Sequence, residues 1–160
     1  TSWAFTVDQA EFTNNVCGVL ADGVIGFEVH RSNFVLGNSV ATSLTHPMEA
    51  HWDGRHRGIY SYNSFGFLVD DNTATQDVNG TALTEGFVTG YSRDHNDMVF
   101  RNHANGLETG YVGEGICADI NNRALIGLTY QCNTNNGNAN DIWDRQVARG
   151  HLKKVVGLEA

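Results

Sequence analysis

Positive charge and proline are both scarce in this sequence. Of its 160 residues only ten are Lys or Arg, against eighteen Asp or Glu, which gives a net charge of -8, and there is a single Pro. Nucleic acids and anionic membrane surfaces are bound mainly through basic side chains, so this charge disfavours both as partners. No apolar run approaches the roughly 18 residues that a membrane-spanning helix needs. The sequence therefore predicts no nucleic-acid binding and no membrane insertion.

Cysteine is sparse as well, with Cys17, Cys117 and Cys132 as the three in the chain. Their odd number and their spacing match neither an even disulfide framework nor a CxxC motif. Cys17 and Cys117 lie in apolar runs, which favours buried free thiols, with one bridge and one remaining thiol as the alternative. The chain begins without Met and without a signal-peptide pattern. We therefore expect residues 1–160 to be one domain taken from a longer chain.

Glycine and asparagine are abundant, with 18 Gly and 17 Asn. Between them lie short runs rich in Val, Ile, Phe, Tyr and Thr, in which apolar residues alternate with polar ones as they do in strands. The runs are separated by dipeptides typical of tight turns, namely Asp22-Gly23, Asp53-Gly54, Asn79-Gly80, Asn105-Gly106 and Asn136-Gly137. This pattern predicts an all-β domain, an antiparallel β-sandwich or jelly roll of about ten short strands.

Two further structural expectations follow from local patterns. The five turn dipeptides recur at intervals of 26 to 31 residues, but the residues between them do not match, so no internal repeat is predicted. Near the C-terminus Asp141 has the character of a helix N-cap, and Gly150 is a typical helix terminator. Together they predict one short helix over residues 142–149.

A cluster of potential metal ligands surrounds the only proline. His51 and Asp53 are two residues apart, so on a strand they share a face, and a distant His103 (or His95) would complete a three-ligand set. Two His and one carboxylate on a jelly roll are the ligands of non-haem iron oxygenases. The alternative is a polar strand edge that leads into the turn at Asp53-Gly54.

Calcium and catalytic sites have weaker signals. Asp94, Asn96 and Asp97 offer part of a calcium loop but lack the bidentate Glu that usually completes one. There is no Gly-x-Ser-x-Gly nucleophile motif and no phosphate-binding glycine loop. Carboxylates for a glycosidase are present, but the sequence does not pair them. We therefore predict no catalytic residue, and iron or calcium enters only as an alternative.

Saccharide binding has better support. Aromatic rings pack against the apolar face of a sugar, and amides, carboxylates or guanidinium groups bind its hydroxyls. Three groupings of this kind predict the ligand-binding residues Trp52, Asp53, Arg55, Tyr60, Tyr62, Asn63, Tyr91 and Arg93. Tyr60 and Tyr62 would lie on one strand face. The alternative is that these rings belong to the core or its rim, with polar tips in water. Trp3 and Trp143 are assigned to the core or to a subunit contact.

The segment from Met98 to Cys132, MVFRNHANGLETGYVGEGICADINNRALIGLTYQC, combines apolar strands with Gly breaks and Asn-rich turns. In this texture it resembles the receptor-binding heads of phage tail fibres or tail needles. The resemblance implies a homotrimer on a virion surface or in an extracellular setting that binds a bacterial surface glycan or a protein receptor.

Three functions remain open from the sequence. The first is a non-enzymatic receptor-binding or carbohydrate-binding head that attaches a phage fibre to a bacterial surface. The second is a small jelly-roll metalloenzyme that uses His51, Asp53 and His103. The third is a structural β-sandwich of a capsid or decoration protein.

Overall fold

The chain forms five successive coils, and each coil contains three short strands. The computed structural model describes residues 5–38, 53–92, 95–117 and 127–145. The strands are β1 (Thr6–Asp8), β2 (Glu11–Thr13), β3 (Cys17–Asp22), β4 (Glu28–His30), β5 (Asn33–Leu36), β6 (His56–Tyr62), β7 (Leu68–Asp70), β8 (Thr73–Gln76), β9 (Thr84–Gly90), β10 (Met98–Phe100), β11 (His103–Asn105), β12 (Thr109–Glu114), β13 (Thr129–Gln131), β14 (Thr134–Asn136) and β15 (Asn140–Arg145).

Equivalent strands of successive coils stack into three parallel sheets of five strands each. Sheet A has the order β1-β4-β7-β10-β13, sheet B β14-β11-β8-β5-β2, and sheet C β15-β12-β9-β6-β3. The pairing stays in register from coil to coil, as in Val29 with Val69 and Val69 with Val99. The molecule is therefore a parallel β-solenoid, whose three sheets enclose one core.

The prediction of an all-β protein is confirmed, and the prediction of an antiparallel sandwich or jelly roll is wrong. Strand and turn composition indicates where strands lie but not the direction in which they pair. Parallel neighbours need a long crossover between them, and here the other two strands of each coil provide it. Eight of the strands have only three residues, which is too short to show a periodicity, so about ten strands were expected where the described residues hold fifteen.

The expectation of no internal repeat is also wrong. Val69, Val99 and Tyr130 are paired neighbours in sheet A, so each is separated from the next along the chain by the length of one coil. Two features hide this repeat. The connection from β5 to β6 is far longer than its equivalents, and the turn dipeptides lie at different corners. Asp22-Gly23 follows a strand of sheet C, whereas Asn105-Gly106 follows a strand of sheet B.

The predicted C-terminal helix is replaced by a strand. Residues 140–145 form β15, which pairs with β12 so that Ile142 lies beside Tyr111 and packs on the core. The part of the chain that the structure describes contains no helix, and residues 146–149 lie outside it. Accordingly, no helix in the described ranges has the length and apolar character needed to cross a bilayer.

Aromatic rings stack along the core from one coil to the next. Phe5 lies over Phe27 with ring centroids 5.4 Å apart, and Phe27 lies over Phe67 at 5.0 Å. On another side of the core Phe12 stacks on Phe34 at 4.8 Å. In-register coils bring the same inward position of each coil into contact, so similar side chains form continuous stacks.

A single left-handed residue makes each turn from sheet A to sheet B. These residues have φ between 46° and 57°, and they are Gln9, Arg31, Asp71, Arg101 and Cys132. Not one of them is glycine, so a search for Asn-Gly and Asp-Gly dipeptides does not detect this corner. Five similar turns at one corner keep the coils aligned.

Buried asparagines follow these turns and form a ladder. Asn102 accepts a hydrogen bond at Oδ1 from the Asn72 backbone N–H (2.9 Å), and its own N–H donates to Asn133 Oδ1 (2.8 Å). Its Nδ2 donates to the Val69 carbonyl at 2.9 Å, and Asn72 Nδ2 donates in the same way to Val29. Each amide thus satisfies backbone groups that the sharp corner leaves unpaired.

All three thiols are free. Cys117 is buried, Cys17 is half-buried and Cys132 is exposed at its left-handed turn, so the burial expected for the two cysteines in apolar runs is complete for Cys117 and partial for Cys17. Burial raises the pKa of the Cys17 thiol to about 12, and its Sγ donates to the Val19 carbonyl. Because a thiol must lose its proton to act as a nucleophile, this shift disfavours Cys17 as a nucleophile.

Asp97 is a buried carboxyl in the loop before β10. Its Oδ1 accepts hydrogen bonds from the backbone N–H groups of Gly66 (2.6 Å) and Phe67 (3.4 Å). Burial raises the pKa of Asp97 to about 6, although these hydrogen bonds oppose the increase. Because the folded state binds this proton more tightly than the unfolded state, the stability that Asp97 contributes is lost as pH rises from about 4 through about 6.

Asp97→Asn is therefore expected to stabilise the protein at pH 7.5 by about 1–3 kcal/mol and to have little effect near pH 4. The amide keeps an oxygen for Gly66 and Phe67 but carries no charge. Urea unfolding of both proteins at the two pH values measures the difference. An equal difference at both pH values would contradict a raised pKa at Asp97.

Candidate functional site

On the side of sheet C that faces away from the core, the strands carry another cluster of residues. Within its strands Ile59, Phe87 and Tyr111 point into the core, and their neighbours Tyr60 and Val88 point outward. This alternation is interrupted at a pair of glycines. A Cβ on Gly58 would meet Phe34, and one on Gly86 would meet Leu107, which are both core residues. The residues just before these glycines, Arg57 and Glu85, therefore point outward.

The in-register pairing arranges the outward residues in three rows that cross the strands. The first row is Cys17, Arg57, Glu85, Thr109 and Asn140. The middle row is Leu20, Tyr60, Val88, Val112 and Trp143. The third row is Asp22, Tyr62, Gly90, Glu114 and Arg145. A largely apolar and aromatic middle row thus runs between two rows that carry charged groups.

Glu85 is the centre of a buried ion network in the first row. Its Oε2 accepts from Arg57 Nε at 2.9 Å, and its Oε1 accepts from Arg145 Nη2. Arg55 Nε lies 3.2 Å from the same Oε1. The Glu85 side chain is fully buried and that of Arg57 nearly so. Buried charges of this kind are tolerated only when partners and hydrogen bonds compensate them, as the three guanidinium groups do here.

Two further carboxylates extend the network at its ends. Asp53 accepts from Arg57 Nη2 and from Arg55 Nη1, each at 2.9 Å. Although partial burial opposes the change, these two guanidinium groups lower the pKa of Asp53 below its usual value. Glu114 accepts from Arg145 Nη1 at 2.6 Å and from the Tyr60 hydroxyl at 3.2 Å. Burial, and to a smaller extent the negative charge of Glu114, raises the pKa of Tyr60, so its hydroxyl stays protonated.

Aromatic rings line the same face. Tyr60 and Tyr62 meet edge to face with centroids 5.9 Å apart, and Tyr62 meets Tyr91 in the same way at 5.4 Å. The Arg145 guanidinium lies 4.4 Å from the ring centroid of Trp143, which is 39% exposed. Tyr60, Val88 and Val112 of the middle row are buried. The accessible aromatic surface of the face therefore belongs to Trp143 and to the half-buried Tyr62 and Tyr91, next to charged groups whose positions are set by one another.

Three buried polar atoms beside the network have no hydrogen-bond partner. They are Glu108 Oε2, Thr109 Oγ1 and Arg55 Nε, whose 3.2 Å contact with Glu85 Oε1 is an ion pair without hydrogen-bond geometry. Arg55 Nε and Glu108 Oε2 are 4.0 Å apart, too far for a direct hydrogen bond. Thr109 is fully buried in the first row, between Glu85 and Asn140. An unpaired buried polar atom carries a free-energy cost, so these atoms reduce the stability that the network contributes.

The structure brings together five of the eight residues that the sequence predicts for ligand binding. They are Asp53, Arg55, Tyr60, Tyr62 and Tyr91, which all belong to the network or to the aromatic rings on this face. Asn63 makes the left-handed turn that follows β6, and its N–H donates to the Gly90 carbonyl. Trp52 and Arg93 lie outside the described residues.

The residues of the predicted metal sites are placed differently. Asp53 is held by two arginines, whereas His103 lies on β11 in sheet B with Nδ1 2.6 Å from Thr134 Oγ1. The third ligand of the predicted iron site, His51, lies outside the described residues, as does Asp94 of the calcium loop. Within the residues that the structure describes, no three His, Cys, Asp or Glu side chains are grouped to hold a metal ion.

Several residues of this face were not predicted from the sequence. Arg57, Glu85, Glu114 and Arg145 come from four different strands, and Trp143 was assigned to the core or to a subunit contact. The signal that would find them is the coil repeat, because Arg57 and Glu85 are 28 residues apart and Glu114 and Arg145 are 31 apart.

No family model matches the chain, and neither a curated protein nor a solved structure matches it.

Proposed function

We propose that the protein is a saccharide-binding module and that its ligand binds at the accessible part of the outer face of sheet C, which carries Trp143, Tyr62 and Tyr91. The observation that carries the proposal is the position of Trp143, Tyr62 and Tyr91 on the same face as Glu114 and Arg145. Aromatic rings of this kind bury the apolar face of a pyranose, and the charged groups beside them bind its hydroxyls.

The rigidity of the face supports binding. Tyr60 is held by Glu114 at its hydroxyl and by Arg57 over its ring, whose guanidinium carbon lies 4.6 Å from the centroid. The strands that carry these residues are paired on both sides within sheet C. Side chains that are fixed before binding lose little entropy when a ligand docks, so more of the contact energy appears as affinity.

In this proposal the chain acts as a binding head and not as an enzyme. The described carboxylates of the network, such as Glu85 and Asp53, are neutralised by arginines and suit positioning more than proton transfer. A surface glycan of a bacterium is the proposed ligand, and attachment of a phage fibre is the proposed setting, as the resemblance of residues 98–132 implies. A trimer remains part of this proposal.

Trp143→Ala is expected to weaken binding of glycans on an array by about tenfold or more, since central aromatic contacts dominate such interfaces. The matched control is Phe100→Ala on sheet A. The Arg101 guanidinium lies over the Phe100 ring, 4.7 Å from its centroid, as Arg145 does over Trp143. Phe100, however, lies on a different face of the protein.

Binding by the wild-type protein that Trp143→Ala reduces and Phe100→Ala leaves unchanged would support the proposal. Equal effects of the two substitutions would place the ligand elsewhere. An array with no bound glycan at all would contradict saccharide binding. Circular dichroism of each variant verifies that the fold is retained.

A further inference from the structure

We propose that Asn136 is the site of a self-catalysed modification, in which its side-chain amide closes on the backbone nitrogen of Gly137. That nitrogen attacks Cγ of Asn136, and the new C–N bond completes a cyclic succinimide. The side-chain nitrogen leaves as ammonia, taking the proton that the backbone nitrogen gives up. Water then opens the ring at either carbonyl and leaves an aspartyl or an isoaspartyl residue. The reaction consumes only water, and it is independent of saccharide binding.

Asparagine followed by glycine favours this reaction, because glycine has no Cβ to obstruct the approach of its nitrogen. The sequence contains three such dipeptides, which begin at Asn79, Asn105 and Asn136. Their local sequence gives all three the same tendency to react, so the fold decides between them. The deciding group is the N–H of the glycine. A nitrogen whose proton is held in a hydrogen bond reacts only after that bond opens.

Two of the three glycine N–H groups are held in hydrogen bonds. Gly106 donates to the carbonyl of Asn136 in the next coil at 2.8 Å. Gly80 donates to the Asp77 carbonyl at 2.9 Å, which closes a tight turn. The Asp77 side chain fixes the same turn, since its Oδ1 accepts from the Asn79 N–H at 2.8 Å. These bonds protect the first two dipeptides from ring closure.

The third dipeptide lies at the outer edge of the described coils. Strand β14 is the last strand of sheet B there, so Asn136 has a paired neighbour, Asn105, on one side only. Asn136 and Gly137 are both exposed, and a Cβ on Gly137 would meet no atom within 4 Å. Within the described ranges the Gly137 N–H donates to no carbonyl. Its nitrogen is therefore open to the side chain that precedes it.

The isoaspartyl product alters the fifth coil, which contains β13, β14 and β15. Its main chain runs through the side-chain carbons and is one methylene longer before Gly137. The turn that follows ties the fifth coil to the fourth. Asn138 Oδ1 accepts from the Leu107 N–H at 2.9 Å, and Asn138 Nδ2 donates to the Ala104 carbonyl at 3.1 Å. A longer main chain next to Asn138 displaces these bonds, so the isoaspartyl form is less stable than its parent.

Peptide mapping of the full chain after incubation at mildly alkaline pH tests the site. Arg93 and Arg123 separate the three dipeptides, so trypsin releases each in a different peptide. We expect Asn136 to be converted at least about tenfold faster than Asn79 or Asn105, because its glycine N–H needs no prior opening. Similar rates at the three sites, or faster conversion at either of the other two, would overturn the proposal.

Two controls separate the effect of the fold from that of the local sequence. Incubation in concentrated urea removes the protecting hydrogen bonds, so the three sites should then react within about threefold of one another. A preference for Asn136 that persists in urea would overturn the structural argument. In Asn136→Gln the side chain must close a larger ring, which forms more slowly, so the corresponding peptide should stay unmodified. Conversion of that peptide at the wild-type rate would place the reaction at another asparagine.

The effect on the fifth coil is tested against Asn136→Asp, which introduces the new charge without lengthening the main chain. Position 136 is exposed, so this variant should unfold at nearly the wild-type midpoint. Incubated wild-type protein enriched in the isoaspartyl form should unfold at a lower temperature than Asn136→Asp. Equal midpoints would overturn the effect on the fifth coil, while a mapped conversion at Asn136 would still support the modification itself.

Discussion

Replacing Glu85 by Gln is expected to lower the free energy of unfolding by about 3–5 kcal/mol, the range found when one member of a buried ion pair is removed. Glu85 is fully buried and is the common partner of Arg57 and Arg145. Gln has the same shape, so packing is preserved, but the guanidinium groups lose the charge that compensates their burial. Urea unfolding monitored by circular dichroism measures the loss.

The matched control is Asp8→Asn, which removes the carboxylate of an ion pair at the surface. Asp8 binds Arg31 through two contacts, like the pairs of the network, but the Arg31 side chain is more than half exposed. Water compensates the exposed guanidinium when its partner is lost, so little change in stability is expected. Similar losses in Glu85→Gln and Asp8→Asn would show that burial does not govern the network.

Asn102→Ala is expected to cost about 2–4 kcal/mol of stability, because it leaves several buried backbone groups without partners. Asn102 accepts from the Asn72 N–H and donates to the Val69 carbonyl, and these groups have no access to water at the buried corner. The loss of side-chain packing adds to this cost. The measurement is the shift of the thermal unfolding midpoint.

Asn33→Ala is the control for the ladder. Asn33 also uses its Nδ2 in a hydrogen bond, to Glu11 Oε1 at 2.8 Å, but both groups are exposed on sheet B. Water replaces this bond when the amide is removed, so the midpoint should hardly move. A midpoint for Asn102→Ala that matches the wild type would mean that the corner is satisfied without the ladder.

The strand positions were predictable because each depends on a short stretch of sequence. Runs such as that around Ile59 carry β-branched and aromatic residues, and turns such as Asn105-Gly106 contain the residues that adopt positive φ. The turn at Arg101 was not predictable in this way. An arginine in the left-handed region follows no local preference, and it is stabilised by the Asn102 ladder and by the Asp70 carboxylate.

The candidate site was predictable only in its local parts. Tyr60 and Tyr62 are two residues apart on β6, so their common face follows from the alternation of side chains in a strand. Glu85 and Arg145 are 60 residues apart, and no local pattern relates them. They meet because β9, β12 and β15 are consecutive neighbours in sheet C.

The sequence by itself determined the charge of the protein, its all-β character and many of its Gly-containing turns, because these depend on composition and on residues close in the chain. Only the tertiary structure decided that the strands run parallel, that five coils stack in register and that three arginines converge on Glu85. The physical reason is that pairing between coils depends on the length of each coil. One long connection, between β5 and β6, is enough to conceal that length in the sequence.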